Sequence, residues 1–241
     1  MLIVELVTAA ALLSRPIAHA PSAPAHTMRL VDWGGPPQLP ARIAAEMPAA
    51  VAAVSAFWGD AWPPDVPIVT TGSDADFAAQ TGDPARDWTG VAAVAVADRV
   101  DPSRREASGQ RIVFAPGADA MSAAALQIVL RHELFHYAAR AETPLDAPRW
   151  LTEGVADYVA RPAGPRPGPA AVPARLPSDD DLTGPEQSAA YDRAWWFARF
   201  VADEYGAPAL RRLYVAAGDP QAALGVGWND LLTRWQRWLS G

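Results

Sequence analysis

Two histidines and a glutamate stand close together in the segment from Leu130 to Tyr137. His132 and His136 are four residues apart, and Glu133 directly follows the first, so the segment contains the pattern His-Glu-x-x-His. On an α-helix, residues four apart share one face about 6 Å apart at their Cβ atoms, so both imidazoles can bind one cation. Glu133 projects about 100° round the helix from His132 and can reach a water on that cation without being a ligand. The pattern predicts a metal site with a general base beside it; the alternative is two ordinary core histidines.

The composition limits what else such a site can use. The chain has 241 residues, no Cys and four His, two of which, His19 and His26, lie near the N-terminus and are expected to be solvated. Thiolate metal sites, disulfide scaffolds and Cys nucleophiles are therefore excluded. The net charge of -7, without a cluster of Arg, argues against a nucleic-acid partner, because phosphate binding needs a basic face.

A third metal ligand has to be a carboxylate, because no His follows His136. A catalytic zinc normally takes three protein ligands and leaves the fourth position to water. Glu153 is the best candidate, since the sixteen residues between it and His136 suit the rest of one helix, a turn and a second, packed helix. Glu142 and Asp146 are competitors, although both fall where the first helix ends or in the turn.

Asp157 is a candidate for supporting the metal ligands. It follows Glu153 by one helical turn and therefore lies on the same face. Metal-bound imidazoles commonly donate their second N–H to a carboxylate. We expect Asp157 to accept this hydrogen bond from His132; the alternative is a solvated carboxylate on a helix surface.

The elements that position these residues follow from periodicity and capping. The motif lies on a helix predicted over about Ala120–Ala141, with Asp119 as a plausible cap, and a second helix is predicted from Pro148 to about Ala160. Other helices are predicted over Ala41–Trp58, Ser73–Gln80, Ser188–Tyr205, Pro208–Ala217 and Trp228–Leu239, and strands over Val66–Thr70, Gly90–Ala97 and Arg111–Ala115. Residues 101–110 are predicted as a polar loop, and 161–187 as a long Pro-rich loop.

These elements predict an α+β fold for residues 27–241, taken as a single domain. Residues 27–141 form an α/β half with a small mixed sheet, helices and the active-site helix, and residues 142–241 form a helical half. Residues 1–26 include an apolar run, Leu6–Leu13, that is too short to span a bilayer, followed by a possible cleavage site at Ala18-His19-Ala20. This leader predicts export to the cell envelope or medium, without a stable membrane span; if it is instead a partly apolar first helix, the chain is cytoplasmic.

The motif from His132 to His136, followed by the segment from Pro148 to Tyr158, resembles the gluzincins, in particular the bacterial peptidase MA-like proteins. The resemblance extends more weakly to the helices after Ala190. It implies a zincin-like fold, Zn²⁺ on His132, His136 and Glu153, and hydrolysis of a peptide or protein substrate with Glu133 as base. It also implies that a later Tyr stabilises the oxyanion; Tyr191 is the match we choose, and the alternative is a packing aromatic.

Two questions follow from this resemblance. The resemblance implies that an aminopeptidase of this group has an acidic residue near the substrate strand, which binds the free amino terminus of the substrate. Exopeptidase action lacks support here, because the only Glu between Gly90 and Arg131 is Glu106, in a polar loop. An extended substrate is expected to pair with one of the strands Gly90–Ala97 and Arg111–Ala115, whichever is at the sheet edge. A zinc-binding protein of the same fold without peptidase turnover is the alternative function.

Overall fold

The computed structural model describes residues 26–168 and 172–241. Within these residues the strands are β1 (Thr27–Trp33), β2 (Asp65–Thr71), β3 (Ala93–Val96), β4 (Arg99–Asp101), β5 (Glu106–Ser108) and β6 (Arg111–Phe114). The α-helices are α1 (Leu39–Trp58), α2 (Asp74–Thr81), α3 (Ala123–Ala139), α4 (Arg149–Ala160), α5 (Gln187–Tyr205), α6 (Ala207–Val215), α7 (Pro220–Leu224) and α8 (Trp228–Ser240). Two 3-10 turns, Pro116–Ala120 and Arg140–Glu142, lie on either side of α3.

Four of the strands form one mixed sheet in the order β1-β2-β6-β3. β1, β2 and β6 are parallel to one another, whereas β3 runs antiparallel to β6 and lies at an edge. One face carries Ile68 and Ile112 into the main core, which also contains α1 and α3. The other face packs Val69 and Val113 against Phe77 of α2. The chain is therefore α+β with a small mixed sheet, as the sequence predicts.

Four short elements, β1, β4, β5 and α7, were not expected from the sequence. β1 escapes the periodicity argument because only Met28 and Val31 of its seven residues are even partly buried. β4 and β5 form a separate two-stranded hairpin where a polar loop was predicted. The five-residue helix α7, capped by Asp219, is too short to show a helical period.

The two helices that carry the predicted metal ligands, α3 and α4, begin at identifiable residues. Ser122 Oγ accepts a hydrogen bond of 3.2 Å from Ala125 N–H, so α3 starts at Ala123. The predicted start three residues earlier was wrong, because Pro116–Ala120 forms a 3-10 turn instead. α4 starts directly after Pro148, as expected, and packs between α3 and α5.

The Pro-rich segment has no helix or strand at the described positions 161–168 and 172–186. Its later part is nevertheless packed onto the protein, since Val172 and Leu182 are buried. Asp181 in this part lies 2.9 Å from Arg175 and 3.3 Å from Arg193 of α5. Apolar burial and the ion pair with Arg193 hold this part of the segment against the helices.

Nearly all of the predicted leader lies outside the described residues, so export of the chain stays a prediction. His26 is described, and the expectation that it is solvated was wrong: its ring stacks on Trp62 with centroids 3.4 Å apart. In the part of the chain that the structure describes, no helix is both long and apolar enough to cross a membrane.

Candidate functional site

The two histidines of the motif point toward a common position from α3. Their Nε2 atoms lie 3.1 Å apart, and both side chains are mostly buried, with 14% and 13% exposed. This arrangement follows from the spacing, because His132 and His136 stand one turn apart on the same side of the helix.

Glu153 reaches the same position from α4. Its Oε2 lies 3.2 Å from His132 Nε2 and 3.7 Å from His136 Nε2. α4 can approach α5 closely because Gly154, the next residue, packs directly against the Ala194 backbone. The structure thus brings all three predicted ligands together, with one ligand atom from each within 4.8 Å of the others.

The distances between the three candidate ligand atoms can be compared with the distances between ligand atoms around a bound zinc ion. Ligand atoms about 2.0 to 2.1 Å from a tetrahedral zinc are about 3.3 Å apart. The three observed separations, 3.1, 3.2 and 3.7 Å, lie around this value. With its Nδ1 proton donated to Asp157, His132 can release the Nε2 proton that it donates to Glu153 and present the Nε2 lone pair to a cation. His132, His136 and Glu153 can therefore hold a metal ion.

The close approach of these three side chains shifts the pKa values of two of them, His132 and Glu153. Burial lowers the pKa of His132, but the hydrogen bonds to Asp157 and Glu153 outweigh burial and raise it well above its ordinary value. Burial raises the pKa of Glu153, yet the charge of His136 and the hydrogen bonds from both imidazoles hold it well below its usual range. Glu153 is consequently ionised at neutral pH, as a metal ligand must be.

Asp157 stands behind His132, where the sequence predicts it. Its Oδ1 lies 3.0 Å from Nδ1 of His132, and the residue is only 4% exposed. Its second oxygen, Oδ2, lies 2.6 Å from the guanidinium of Arg161, one helical turn further on. The arrangement fixes the ring orientation of His132 and leaves Nε2 free for a ligand position.

Glu133 is close to the ligands but is held by a different element. Its Oε2 accepts a hydrogen bond of 2.7 Å from Ala95 N–H, in edge strand β3. Burial raises the pKa of Glu133, an effect that the charges of His132 and His136 oppose. A buried carboxylate of raised pKa beside a metal position is suited to accept and return a proton.

Tyr191 lies at the start of the second turn of α5, within electrostatic range of the site. Burial together with the charge of Glu153 raises the pKa of Tyr191 to about 12, and the charge of Arg149 opposes this. Its hydroxyl therefore stays protonated at neutral pH and is able to donate a hydrogen bond. Arg149 stands one turn before Glu153 on α4.

The competing carboxylates lie elsewhere. Glu142 is in the 3-10 turn after α3, where its Oε2 is 3.9 Å from both Arg105 and Arg211. Asp146 is exposed in the turn before α4. Neither belongs to the cluster of potential ligands in the described residues.

Sequence reasoning missed three contributors to the site: Ala95, Arg140 and Arg161. Arg140 donates a hydrogen bond of 2.7 Å to Ala95 C=O, so both outward-facing backbone groups of Ala95 are bound by side chains of α3 and of the 3-10 turn after it. No sequence signal marks a backbone group for such a role. Arg161 did carry a signal, since it follows Asp157 by four residues, the spacing of a helical ion pair.

Comparison with protein-family models, with curated proteins and with solved structures finds no match for this chain.

Proposed function

We propose that the protein is a zinc-dependent hydrolase of peptide bonds, with a zincin-like fold. The observation that carries the proposal is the convergence of His132, His136 and Glu153 on one position, with Glu133 beside it but bound to a backbone N–H. Two imidazoles and one carboxylate are a ligand set of catalytic zinc sites, in which a fourth position is left to water. The set contains no thiolate and is rich in nitrogen, which favours zinc over magnesium or calcium.

When bound, zinc supplies Lewis acidity, which makes the attacking water more acidic and polarises the scissile carbonyl. Glu133 takes a proton from the water as its oxygen bonds to the carbonyl carbon. The same carboxyl group then returns the proton to the amide nitrogen as the C–N bond breaks. The hydrogen bond from Ala95 N–H keeps the Glu133 carboxylate oriented through both transfers.

Tyr191 and β3 are proposed to act on the substrate. The protonated hydroxyl of Tyr191 donates a hydrogen bond to the oxygen that becomes negative in the transition state. Of the two strands considered from the sequence, β3 is the one at the sheet edge, because β6 is paired on both sides. The N–H and C=O of Ala95 are already bound, and its neighbours Val94 and Val96 face β6, so a peptide that pairs with β3 has to use the outward-facing backbone of Ala93.

The proposal is tested by digesting a diverse peptide library with the purified chain while its zinc content is measured on the same sample. We expect about one zinc per chain and new peptide termini, both lost on treatment with a chelator. A chain that binds zinc but cleaves nothing contradicts the proposal.

The second function is zinc binding without turnover, and the limited exposure of the site favours it, because only 13 to 18% of each ligand side chain is accessible. The Glu133→Gln variant separates the two functions. In a hydrolase this variant retains zinc and loses cleavage. In a zinc-binding protein without turnover it also retains zinc, and there is no cleavage to lose.

A further inference from the structure

The carboxylate of Asp157 is buried and has one charged neighbour besides His132. Its Oδ1 lies 3.0 Å from His132 Nδ1, and its Oδ2 lies 2.6 Å from Nη2 of Arg161. Within the described residues, Oδ2 accepts no hydrogen bond of good geometry. A buried carboxylate is costly unless its charge is compensated, so the ion pair with Arg161 is what compensates this oxygen.

Three contacts fix the guanidinium of Arg161 in place. Besides the pair with Asp157, its Nη1 donates a hydrogen bond of 2.6 Å to Asp192 Oδ1 on α5. Its carbon Cζ also lies 4.9 Å from the ring centre of Trp195. A planar guanidinium can make all three contacts at once, which the single ammonium of a lysine cannot.

We infer that Arg161 is a positioning residue of the metal site, which holds Asp157 against His132 and thereby increases the affinity of the triad for zinc. The inference rests on the metal-binding part of the proposed function. Arg161 lies at the junction of α4 and the Pro-rich segment, and Asp192 directly follows Tyr191 in α5. Without Arg161, the Asp157 carboxylate is free to rotate away from His132, and the imidazole loses the contact that orients it.

Zinc affinity, measured by competition with a chromophoric chelator, tests the inference. Loss of a partner that supports a metal ligand typically weakens metal binding by about 10- to 100-fold. We expect Arg161→Met to bind zinc about tenfold more weakly or worse, and Arg161→Lys to fall between Arg161→Met and the wild type.

Arg199→Met is the matched control. Arg199 lines the same cavity as Arg161 and makes an ion pair four residues along its helix, 3.5 Å from Asp203, with similar side-chain exposure. It makes no contact with Asp157, so its loss is expected to leave zinc affinity unchanged. An equal loss in both variants would attribute the effect to general loosening and overturn the inference.

A double-mutant cycle shows whether Arg161 acts through Asp157. Asp157→Asn should weaken zinc binding, and adding Arg161→Met to it should cause little further loss. If the fold-losses of zinc affinity in the two single variants multiply in the double variant, the inference is overturned. It is also overturned if Arg161→Met binds zinc as tightly as the wild type. If Arg161→Met does not fold, Asp192→Asn replaces it: this half-exposed position holds the guanidinium, and unchanged affinity there also overturns the inference.

The measurement contains no peptide, so it separates this inference from the proposed function. If the variants show the expected zinc affinities but the wild type cleaves no peptide, the inference stands and the hydrolase proposal fails. If the wild type cleaves peptides but Arg161→Met binds zinc as tightly as the wild type, the hydrolase proposal stands and the inference fails.

Discussion

Gly154 offers a direct test of how the third ligand is positioned. It follows Glu153 in α4, at the point where α4 crosses α5. A Cβ atom added there would lie 2.5 Å from Ala194 O and 2.7 Å from Ala194 C. Both are backbone atoms of a helix, so neither can turn aside as a flexible side chain could.

The magnitude for Gly154→Ala follows from two opposing effects. Inside a helix, Ala is favoured over Gly by about 0.5 to 1 kcal/mol. Overpacking of a tight contact costs about 1 to 3 kcal/mol. To reach even the 3.0 Å below which Cβ contacts essentially never occur, α4 and α5 have to separate by about 0.5 Å. The two ranges leave a net loss of up to about 2.5 kcal/mol, and because the clash is with helix backbone we expect about 1 to 2 kcal/mol in the free energy of unfolding.

The same displacement should weaken metal binding. A functional site tolerates errors of only about 0.5 Å in its ligands, and Glu153 is bonded to the residue that moves. Urea unfolding in chelator gives the stability term, and a zinc titration gives the affinity term. Gly117→Ala is the control, because a Cβ there meets nothing within 4 Å, and it should change stability by less than about 0.5 kcal/mol. A Gly154→Ala chain as stable as the wild type in chelator would refute the packing argument.

Three other predictions concern the chemistry. Glu133→Gln should keep its zinc, because its amide oxygen still accepts a hydrogen bond from Ala95 N–H. Its kcat should fall by at least about 100-fold; activity within about tenfold of the wild type would show that Glu133 is not the general base. Tyr191→Phe should lower kcat by about 100-fold with little change in KM; an unchanged kcat would assign Tyr191 to packing. Because contacts raise the pKa of His132 despite its burial, the metal-free chain holds a proton there at neutral pH, which zinc must displace. Apparent zinc affinity, from competition titrations, should therefore rise by about tenfold per pH unit through neutral pH, until pH reaches the raised pKa of His132; a flat profile through neutral pH would contradict this. The same raised pKa stabilises the metal-free fold below about pH 6.5, and this contribution is lost as pH rises through the folded value.

Much of the helical framework could be predicted because local signals determine it. Pro148 precedes α4, and apolar residues recur along α3 and α4, although the cap of α3 is Ser122 and not the predicted Asp119. β1 and the β4–β5 hairpin could not be predicted, because pairing with a neighbouring strand creates them and their side chains are largely exposed. A strand without a buried face leaves no alternation in the sequence.

The candidate site divides along the same line. The pairing of His132 with His136 follows from helical spacing, and Glu153 follows from the shortage of other ligands and a distance that suits two packed helices. The position of Asp157 follows from its spacing to Glu153. By contrast, the hydrogen-bond partner of Glu133 depends on the strand order of the sheet. β6 lies between β2 and β3, which leaves β3 at the edge with the N–H of Ala95 available to Glu133.

That strand order has a consequence for catalysis. Ala95 N–H donates a hydrogen bond to Glu133 of α3, and Ala95 C=O accepts one from Arg140, the residue directly after α3. An incoming peptide strand needs these same two outward groups in order to pair at Ala95. If the protein is the proposed hydrolase, the edge of β3 holds Glu133, its general base, at a residue where the edge cannot pair with substrate. We then expect Glu133 to keep its orientation whether or not a peptide is bound, which is the preorganisation that proton transfer requires.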